Sequence, residues 1–113
     1  PLEWAVRADG ILYTALIATK SDGSLESGDI TAQTTRTLDN LRQVLDAAGG
    51  TMADVTQVLI YLTGGADAPA MNAIYRTYFD EPFPNRATVV ISALLAPGAI
   101  IEIVAYAHVG KNG

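Results

Sequence analysis

The sequence predicts an α+β domain in which two helices cover one face of a mixed β-sheet. The chain has 113 residues, of which 50% are hydrophobic and 17% charged, and this composition fits one globular domain over residues 1–113. Short apolar runs rich in β-branched residues predict strands, and two stretches carry apolar residues at helical spacing. In chain order the elements are β-β-α-β-α-β-β, and two helices can cover only one sheet face.

The first half of the chain predicts a hairpin and a helix. The runs EWAVRA and ILYTALIAT are joined by Asp9-Gly10, a dipeptide that tolerates the positive φ angles of a tight turn. After the polar loop SDGSLESGD, an amphipathic helix is predicted over residues 31–48 and ends at Gly49-Gly50. Its apolar residues recur at spacings of three and four: Leu38, Leu41, Leu45 and Ala48.

The second half predicts three strands and a second helix. The run DVTQVLIYLT is nearly all apolar at its centre, as in a strand covered on both faces. A helix is predicted to begin at Pro69. Its buried stripe is Met71, Ile74, Tyr75 and Tyr78. Two more buried strands, RATVVISAL and AIIEIVAYAHV, follow and are linked through Ala96-Pro97-Gly98.

The last strand is apolar on both faces, which bears on assembly. Ile101, Ile103, Ala105, Ala107 and Val109 alternate with Val104 and Tyr106. Because the helices cover only one face, something else must bury the other, and self-association is the simplest explanation. Clefts between subunits then become the natural ligand sites.

Composition excludes several classes of function. The chain has no cysteine, and its single histidine, His108, cannot build a metal centre alone. The net charge is −5, and the basic stripe that a nucleic acid requires is missing. No apolar run is long enough to cross a membrane, and PLEWAVRADG is no secretory signal. We therefore expect a soluble cytoplasmic protein that binds neither nucleic acid nor membrane.

Three polar residues are candidates for a site. Arg86 opens a strand predicted to be buried, where its guanidinium suits either a bidentate carboxylate ligand or a structural ion pair. Glu102, in the final strand, either pairs with Arg86 or is a functional carboxylate that positions water or transfers a proton. We interpret these two residues, on strands predicted to be adjacent, as one site. Asn72 either caps a helix or hydrogen-bonds the backbone, or it contributes to ligand binding.

Segments along nearly the whole chain match one known family. They include LEWAVRADGILYT, GDITAQTTRTLDNLRQVLDAAG, DVTQVLIYLT and MNAIYRTYF. The most specific is PFPNRATVVISALLAPGAIIEIVAYA, in which Pro-x-Arg precedes, by some sixteen residues, a glutamate in an isoleucine-rich strand. With these motifs the chain resembles the RidA/YjgF family of reactive intermediate deaminases.

The resemblance implies a fold, an assembly and a reaction. The fold is chorismate-mutase-like, and the assembly is a homotrimer with a barrel-like core and ligand clefts at its three interfaces. Arg86 is implied to bind the substrate carboxylate, and Glu102 to help place the hydrolytic water, without a metal or organic cofactor. Similar members hydrolyse enamines and imines, such as 2-aminoacrylate, to 2-oxo acids and ammonia.

Four positions depart from the family pattern. Ala15-Leu16 stands where relatives carry a Ser-Gly pair whose backbone lines the cleft, and we expect Leu16 to narrow the pocket or change its backbone. Leu2 replaces a tyrosine that commonly faces the ligand, and Thr88 replaces a cysteine or serine. The predicted substrate-binding set is Arg86, Thr88, Leu16, Ala15 and Asn72.

Two alternatives to hydrolytic deamination stay open. Pro1 lies one residue before the position that faces the ligand in relatives. If it is the natural terminus, its secondary amine is a candidate general base. This would make the protein a tautomerase or hydratase of an unsaturated carboxylate, with Pro1 catalytic beside Arg86 and Glu102. An arbitrary or exposed terminus is the other interpretation of Pro1. The second alternative is a non-catalytic trimer that binds small carboxylates.

Overall fold

The computed structural model describes residues 1–110 and places two helices against one face of a five-stranded sheet. The elements are β1 (Ala5–Ala8), β2 (Ile11–Leu16), α1 (Ile30–Ala47), β3 (Val55–Leu62), α2 (Ala68–Tyr75), β4 (Asn85–Val90) and β5 (Ile101–His108), with short 3₁₀ turns at Met52–Asp54 and Gly65–Asp67. The predicted α+β class and element order are confirmed.

The strands lie in the order β1-β2-β5-β3-β4, and the sheet is mixed. The β3–β4 pair is parallel and the other pairs are antiparallel. A parallel pair needs a crossover connection, which α2 provides, whereas β5 returns antiparallel between β2 and β3. The strands that carry Arg86 and Glu102 are therefore separated by β3, and the prediction that they are adjacent is wrong.

Local turn and cap chemistry explains where β1, β2 and α1 begin and end. Asp9 and Gly10 have φ angles of 52° and 78°, which the two-residue turn between β1 and β2 requires. Asp29 caps α1 by accepting a 2.9 Å hydrogen bond from the Ala32 N–H. Gly49, with φ 82°, ends the helix, and the Gly50 N–H then bonds to the Leu45 carbonyl at 2.8 Å.

The core lies between the helices and one face of the sheet. Alternate residues of β3 and β5 point toward α1 and α2 and are at most 1% exposed, and the same holds for the facing helix residues. Burial of each such side chain contributes about 1.5–3 kcal/mol. The set comprises Val58, Ile60, Ile101, Ile103, Leu38, Leu41, Leu45 and Met71.

The opposite sheet face, which we call the open face, carries large apolar side chains without a covering helix. Val6 and Tyr13 are 52% and 43% exposed. The Tyr13 and Tyr106 rings meet edge to face, with centroids 5.5 Å apart. The edge strand β4 is exposed at every position in the single chain, so the prediction that Arg86 opens a buried strand is wrong. Its apolar residues lie at a sheet edge that has no pairing strand.

Tyr78 joins the end of α2 to α1. It was expected in the buried stripe of the second helix, but α2 ends at Tyr75 and Tyr78 lies in the following turn. Its hydroxyl donates a 2.6 Å hydrogen bond to Asp39 Oδ1, and the Arg42 guanidinium lies 4.6 Å from its ring centre. These contacts hold the segment that leads from α2 to β4.

The Tyr78 contacts predict a loss of stability at alkaline pH. Burial, followed by the Asp39 hydrogen bond and charge, raises the pKa of Tyr78 from 10.0 to about 12. The folded protein therefore holds this proton more tightly than the unfolded chain, and the resulting stabilisation is lost as the pH rises from 10.0 to about 12. Urea unfolding across this range should show a shallower decline for Tyr78→Phe than for wild type. Equal slopes for the two proteins would contradict the assignment.

Candidate functional site

Arg86 lies near the start of β4 and stacks on an aromatic ring of α2. It pairs with the buried Val58 of β3 and so belongs to the helix side of the sheet. Its Cζ is 4.7 Å from the centre of the Tyr75 ring, a cation–π contact. Within residues 1–110 Arg86 forms no ion pair, so no acidic partner occupies the guanidinium in the described chain.

This stacked pair lines a cavity of about 270 Å³, which we call the arginine cavity. Its walls combine aromatic rings with polar and cationic groups, and no acidic residue belongs to the lining described. An apolar concavity with a few convergent polar groups is the usual form of a small-molecule site. The lining residues are Asn72, Tyr75, Arg76, Phe79, Phe83 and Arg86.

Two buried polar atoms of the arginine cavity have no hydrogen-bond partner within the described chain: Asn72 Oδ1 and Tyr75 Oη. Tyr75 as a residue is only 8% exposed. Burial raises the pKa of its hydroxyl, and the charge of Arg86 opposes that rise, so the group remains a proton donor at neutral pH. Native proteins leave few buried polar groups unpaired, and both oxygens are enclosed by the chain itself, so a ligand in the cavity reaches them only after a shift of the cavity wall.

Glu102 lies on the open face, on the other side of the sheet from Arg86. It pairs with Tyr61 of β3, which in turn pairs with Val89 of β4. Glu102 is thus two strand spacings, about 10 Å, from β4 and roughly 10 Å further along the sheet from Arg86. Over residues 1–110 it forms no ion pair. The predicted Arg86–Glu102 pair does not form within one chain, because their side chains point to opposite faces.

The remaining predicted binding residues divide between the two sheet faces. Thr88 follows Arg86 on the same face of β4 and is exposed. Ala15 pairs with Val104 and shares the open face with Glu102. The structure therefore brings Arg86 together with Asn72, and leaves Ala15 with Glu102.

Leu16 and Pro1 lie outside the arginine cavity. Leu16 is 4% exposed and lines a separate cavity of about 210 Å³, together with Trp4 and Lys20. Its side chain therefore does not narrow the arginine cavity of its own chain. Pro1 is exposed and is not among the residues that line either cavity.

Four lining residues of the arginine cavity were not predicted to be functional: Tyr75, Arg76, Phe79 and Phe83. Spacing from Asn72 contains a usable signal, because positions 75, 76 and 79 fall three, four and seven residues later, the spacing of one helical face, although α2 itself ends at Tyr75. Tyr75 was assigned to the core stripe, which its burial also supports. Phe83 follows α2 in an irregular segment, where no periodicity marks it.

Among residues 1–110 no group of three or more His, Cys, Asp or Glu side chains is placed to hold a metal ion. None of the helices in that range combines the length and apolar character needed to span a membrane.

Similarity to known proteins now adds to this geometry. The family model described as Endoribonuclease L-PSP matches residues 2–109, and YyfA of Yersinia pestis, from the conserved Rid protein family, has 38% identity and a TM-score of 0.90 over 96% of this chain and 88% of YyfA. The chain belongs to the RidA/YjgF family. The resemblance in the sequence motifs is thereby confirmed.

Two further members of the RidA/YjgF family match nearly the full chain. The protein named 3-aminoacrylate deaminase RutC, from Acinetobacter baylyi, is 39% identical over 107 residues, which cover 93% of this chain and 84% of RutC. The crystal structure of RidA from an Antarctic Psychrobacter bacterium has 27% identity and a TM-score of 0.86 over 93% of this chain and 85% of that protein. Names within this family thus include both deaminase and endoribonuclease.

The unpaired Tyr75 hydroxyl predicts an unusual response to its removal. Because no partner in the described chain loses a hydrogen bond, Tyr75→Phe should leave the unfolding free energy of the ligand-free protein unchanged or raise it by up to about 1 kcal/mol. The matched control is Tyr78→Phe, which removes a hydroxyl bonded to Asp39 and should cost about 1–3 kcal/mol. Urea unfolding at pH 7 measures both. Equal losses for the two variants would show that the Tyr75 hydroxyl has a partner.

Proposed function

We propose that this protein hydrolyses a small enamine or imine carboxylate to a 2-oxo acid and ammonia without a cofactor. The observation that carries the proposal is the arginine cavity, where the unpaired Arg86 guanidinium is stacked on Tyr75. The similarity to RutC, a protein named as a 3-aminoacrylate deaminase, supports the same class of reaction.

Arg86 binds the substrate carboxylate in this proposal. Stacking on Tyr75 leaves the guanidinium edge free to donate two parallel hydrogen bonds to a carboxylate. The Tyr75 hydroxyl and the Asn72 amide, each with a buried oxygen that has no partner in the described chain, supply further polar contacts once the cavity wall shifts to expose them. The Phe79 and Phe83 rings form apolar walls that limit the access of water.

Glu102 supplies the proton chemistry. An enamine substrate first gains a proton from solvent on its carbon and loses one from its nitrogen to give the imine. The Glu102 carboxylate then takes a proton from water as the water oxygen bonds to the imine carbon, and the C=N electron pair moves to the nitrogen, which receives that proton from Glu102. The hydroxyl proton of this carbinolamine is transferred through Glu102 to the nitrogen as the C–N bond breaks, so ammonia leaves, the 2-oxo acid remains and the Glu102 carboxylate is regenerated.

Arg86 and Glu102 act together in this proposal only if two chains share the site. They point to opposite faces of one sheet, so we place each site between subunits of a homotrimer. Exposed apolar groups on both surfaces support such packing, with Tyr13 at 43% on the open face and Val89 and Val90 at 46% and 58% on β4. Glu102 of one subunit would then approach the arginine cavity of the next.

Neither the endoribonuclease name nor the Pro1 mechanism gains comparable support. A net charge of −5 is unfavourable for a phosphate backbone. Pro1 is exposed and does not line the arginine cavity of its own chain. Glu102 does not line that cavity in its own chain either. Its place in the central strand β5, where it is half-buried, fixes the carboxylate, and we therefore prefer it to the exposed Pro1 as the base.

Loss of Arg86 should remove ligand binding while the fold persists. Arg86→Ala should weaken binding of 2-oxobutyrate at least about 30-fold, because a charged partner in a desolvated cleft is lost. Its melting temperature should change little. The matched control is Arg42→Ala, since Arg42 also stacks on a tyrosine, at 4.6 Å, but outside the arginine cavity. Calorimetry and thermal unfolding measure both properties. A large fall in melting temperature with retained binding would make Arg86 structural.

The wild-type protein should also accelerate ammonia release from enzymatically generated 2-iminobutyrate or 2-aminoacrylate. Glu102→Gln should lower turnover more than binding of the 2-oxo acid, since it keeps the shape and removes the base. If wild type binds the 2-oxo acid but releases no ammonia above the spontaneous rate, even at high protein concentration, the non-catalytic carboxylate binder replaces the deaminase.

Mixed oligomers test whether the site is shared between chains. Light scattering should show about three chains per particle, and co-expressed Arg86→Ala and Glu102→Gln chains should recover up to about a quarter of wild-type activity, because one interface in four receives both intact residues. Each variant alone should be nearly inactive. The control mixture of Arg86→Ala with Arg86→Gln should recover nothing. Absence of recovery in the first mixture, with trimers formed, would place the two residues in separate sites.

A further inference from the structure

The arginine cavity contains a second cation, Arg76, to which the proposed reaction assigns no role. Arg76 is the C-terminal cap residue of α2, and its N–H bonds to the Asn72 carbonyl at 3.0 Å. The backbone is thus fixed one residue after Tyr75, and the side chain lines the same cavity as Arg86. Within residues 1–110 the Arg76 guanidinium forms no ion pair.

The charge around this cavity differs from that of the whole protein. The chain has 12 acidic and 7 basic residues, yet among residues 1–110 those that line the arginine cavity include two arginines and no acid. Arg42, by comparison, lines a neighbouring cavity together with Asp46 and Asp80 and lies 4.0 Å from Asp39. Two uncompensated like charges in one concavity repel each other, and an anionic ligand relieves that repulsion.

The two cations of the arginine cavity come from different elements of the fold. Arg86 is oriented by the Tyr75 ring at the start of β4, whereas Arg76 extends from the end of α2. Phe79 and Phe83 complete the lining and offer apolar surface for a short carbon chain. This arrangement matches a molecule with an anionic group at each end and a few carbons between them.

We propose that the arginine cavity selects dicarboxylates, with Arg86 binding the carboxylate next to the reacting carbon and Arg76 binding a second, distal carboxylate. The substrate class is then the imine or enamine of a dicarboxylic amino acid. This inference rests on the proposed function, because it assigns the substrate of the same site. Arg76 is a specificity residue in this scheme and takes no part in proton transfer.

A purely structural role for Arg76 makes a different prediction. A cation at a helix C-terminus stabilises the helix through its dipole. Removal of such a cation lowers the melting temperature slightly and affects all ligands alike. A specificity role instead changes the ratio of affinities for two ligands that differ only in the distal group.

The test compares 2-oxoglutarate with 2-oxopentanoate, which share a five-carbon 2-oxo acid chain and differ in the distal carboxylate. Calorimetry at low ionic strength should show at least a tenfold preference of wild type for 2-oxoglutarate, roughly the effect of one charge-assisted pair. Arg76→Gln should reduce this ratio to about one, and Arg76→Lys should restore part of it because the charge remains. The matched control is Arg36→Gln. Arg36 is a cation on α1 that lines the separate cavity of Leu16, so this variant should keep the wild-type ratio of affinities.

The possible outcomes separate this inference from the proposed function. Arg86-dependent binding of both acids with equal affinity in wild type would overturn the dicarboxylate preference and leave the deaminase proposal standing. A preference that persists in Arg76→Gln would equally overturn the role of Arg76. Failure of wild type to bind either acid would refute the carboxylate site itself, and the preference with it. A ratio near one in Arg76→Gln, with an unchanged melting temperature and an unaffected Arg36→Gln, supports the inference.

Discussion

Coverage of only one sheet face by α1 and α2 places alternate residues of β5 in two different environments. Ile101 and Ile103 are at most 1% exposed beneath the helices, whereas Glu102 and Val104 are half-buried on the open face. The helix side supplies the core that stabilises a single chain. The open face retains apolar side chains, such as Tyr13, that a solvated sheet face would not favour. A carboxylate in the central strand is tolerated because it lies on this second face.

The same constraint divides the candidate site. Arg86 lies on the helix side of the sheet, where it stacks on the Tyr75 ring of α2 and lines the arginine cavity. Glu102 faces away from both helices, so no movement of side chains within one chain can bring its carboxylate to the Arg86 guanidinium across the sheet. Arg86 lies near the edge of the sheet, on the exposed strand β4. An edge is where a neighbouring chain can approach, so a site that used both residues would require a second chain.

Local patterns in the sequence were sufficient to predict the helices and strands but not the order of the strands in the sheet. The Asp9-Gly10 turn and the helix that ends at Gly49 follow from short-range backbone chemistry, and both are confirmed. The position of β3 between β4 and β5 is a non-local outcome of strand pairing, which alternation within one strand does not encode. For the same reason the sequence identified Arg86 and Glu102 as unusual residues but wrongly placed them on adjacent strands.

Residue type also did not distinguish the core residues of α2 from those that line the arginine cavity. Tyr75 is 8% exposed and belongs to the apolar stripe, yet its ring supports Arg86 and its hydroxyl has no partner in the described chain. A ring orients a guanidinium without occupying its N–H donors, whereas a carboxylate partner would occupy them and neutralise the charge. Stacking on Tyr75 therefore keeps Arg86 both ordered and able to bind an anion. An ion pair with Glu102 in the same chain would have sacrificed that capacity, and the fold prevents it by placing the two groups on opposite faces.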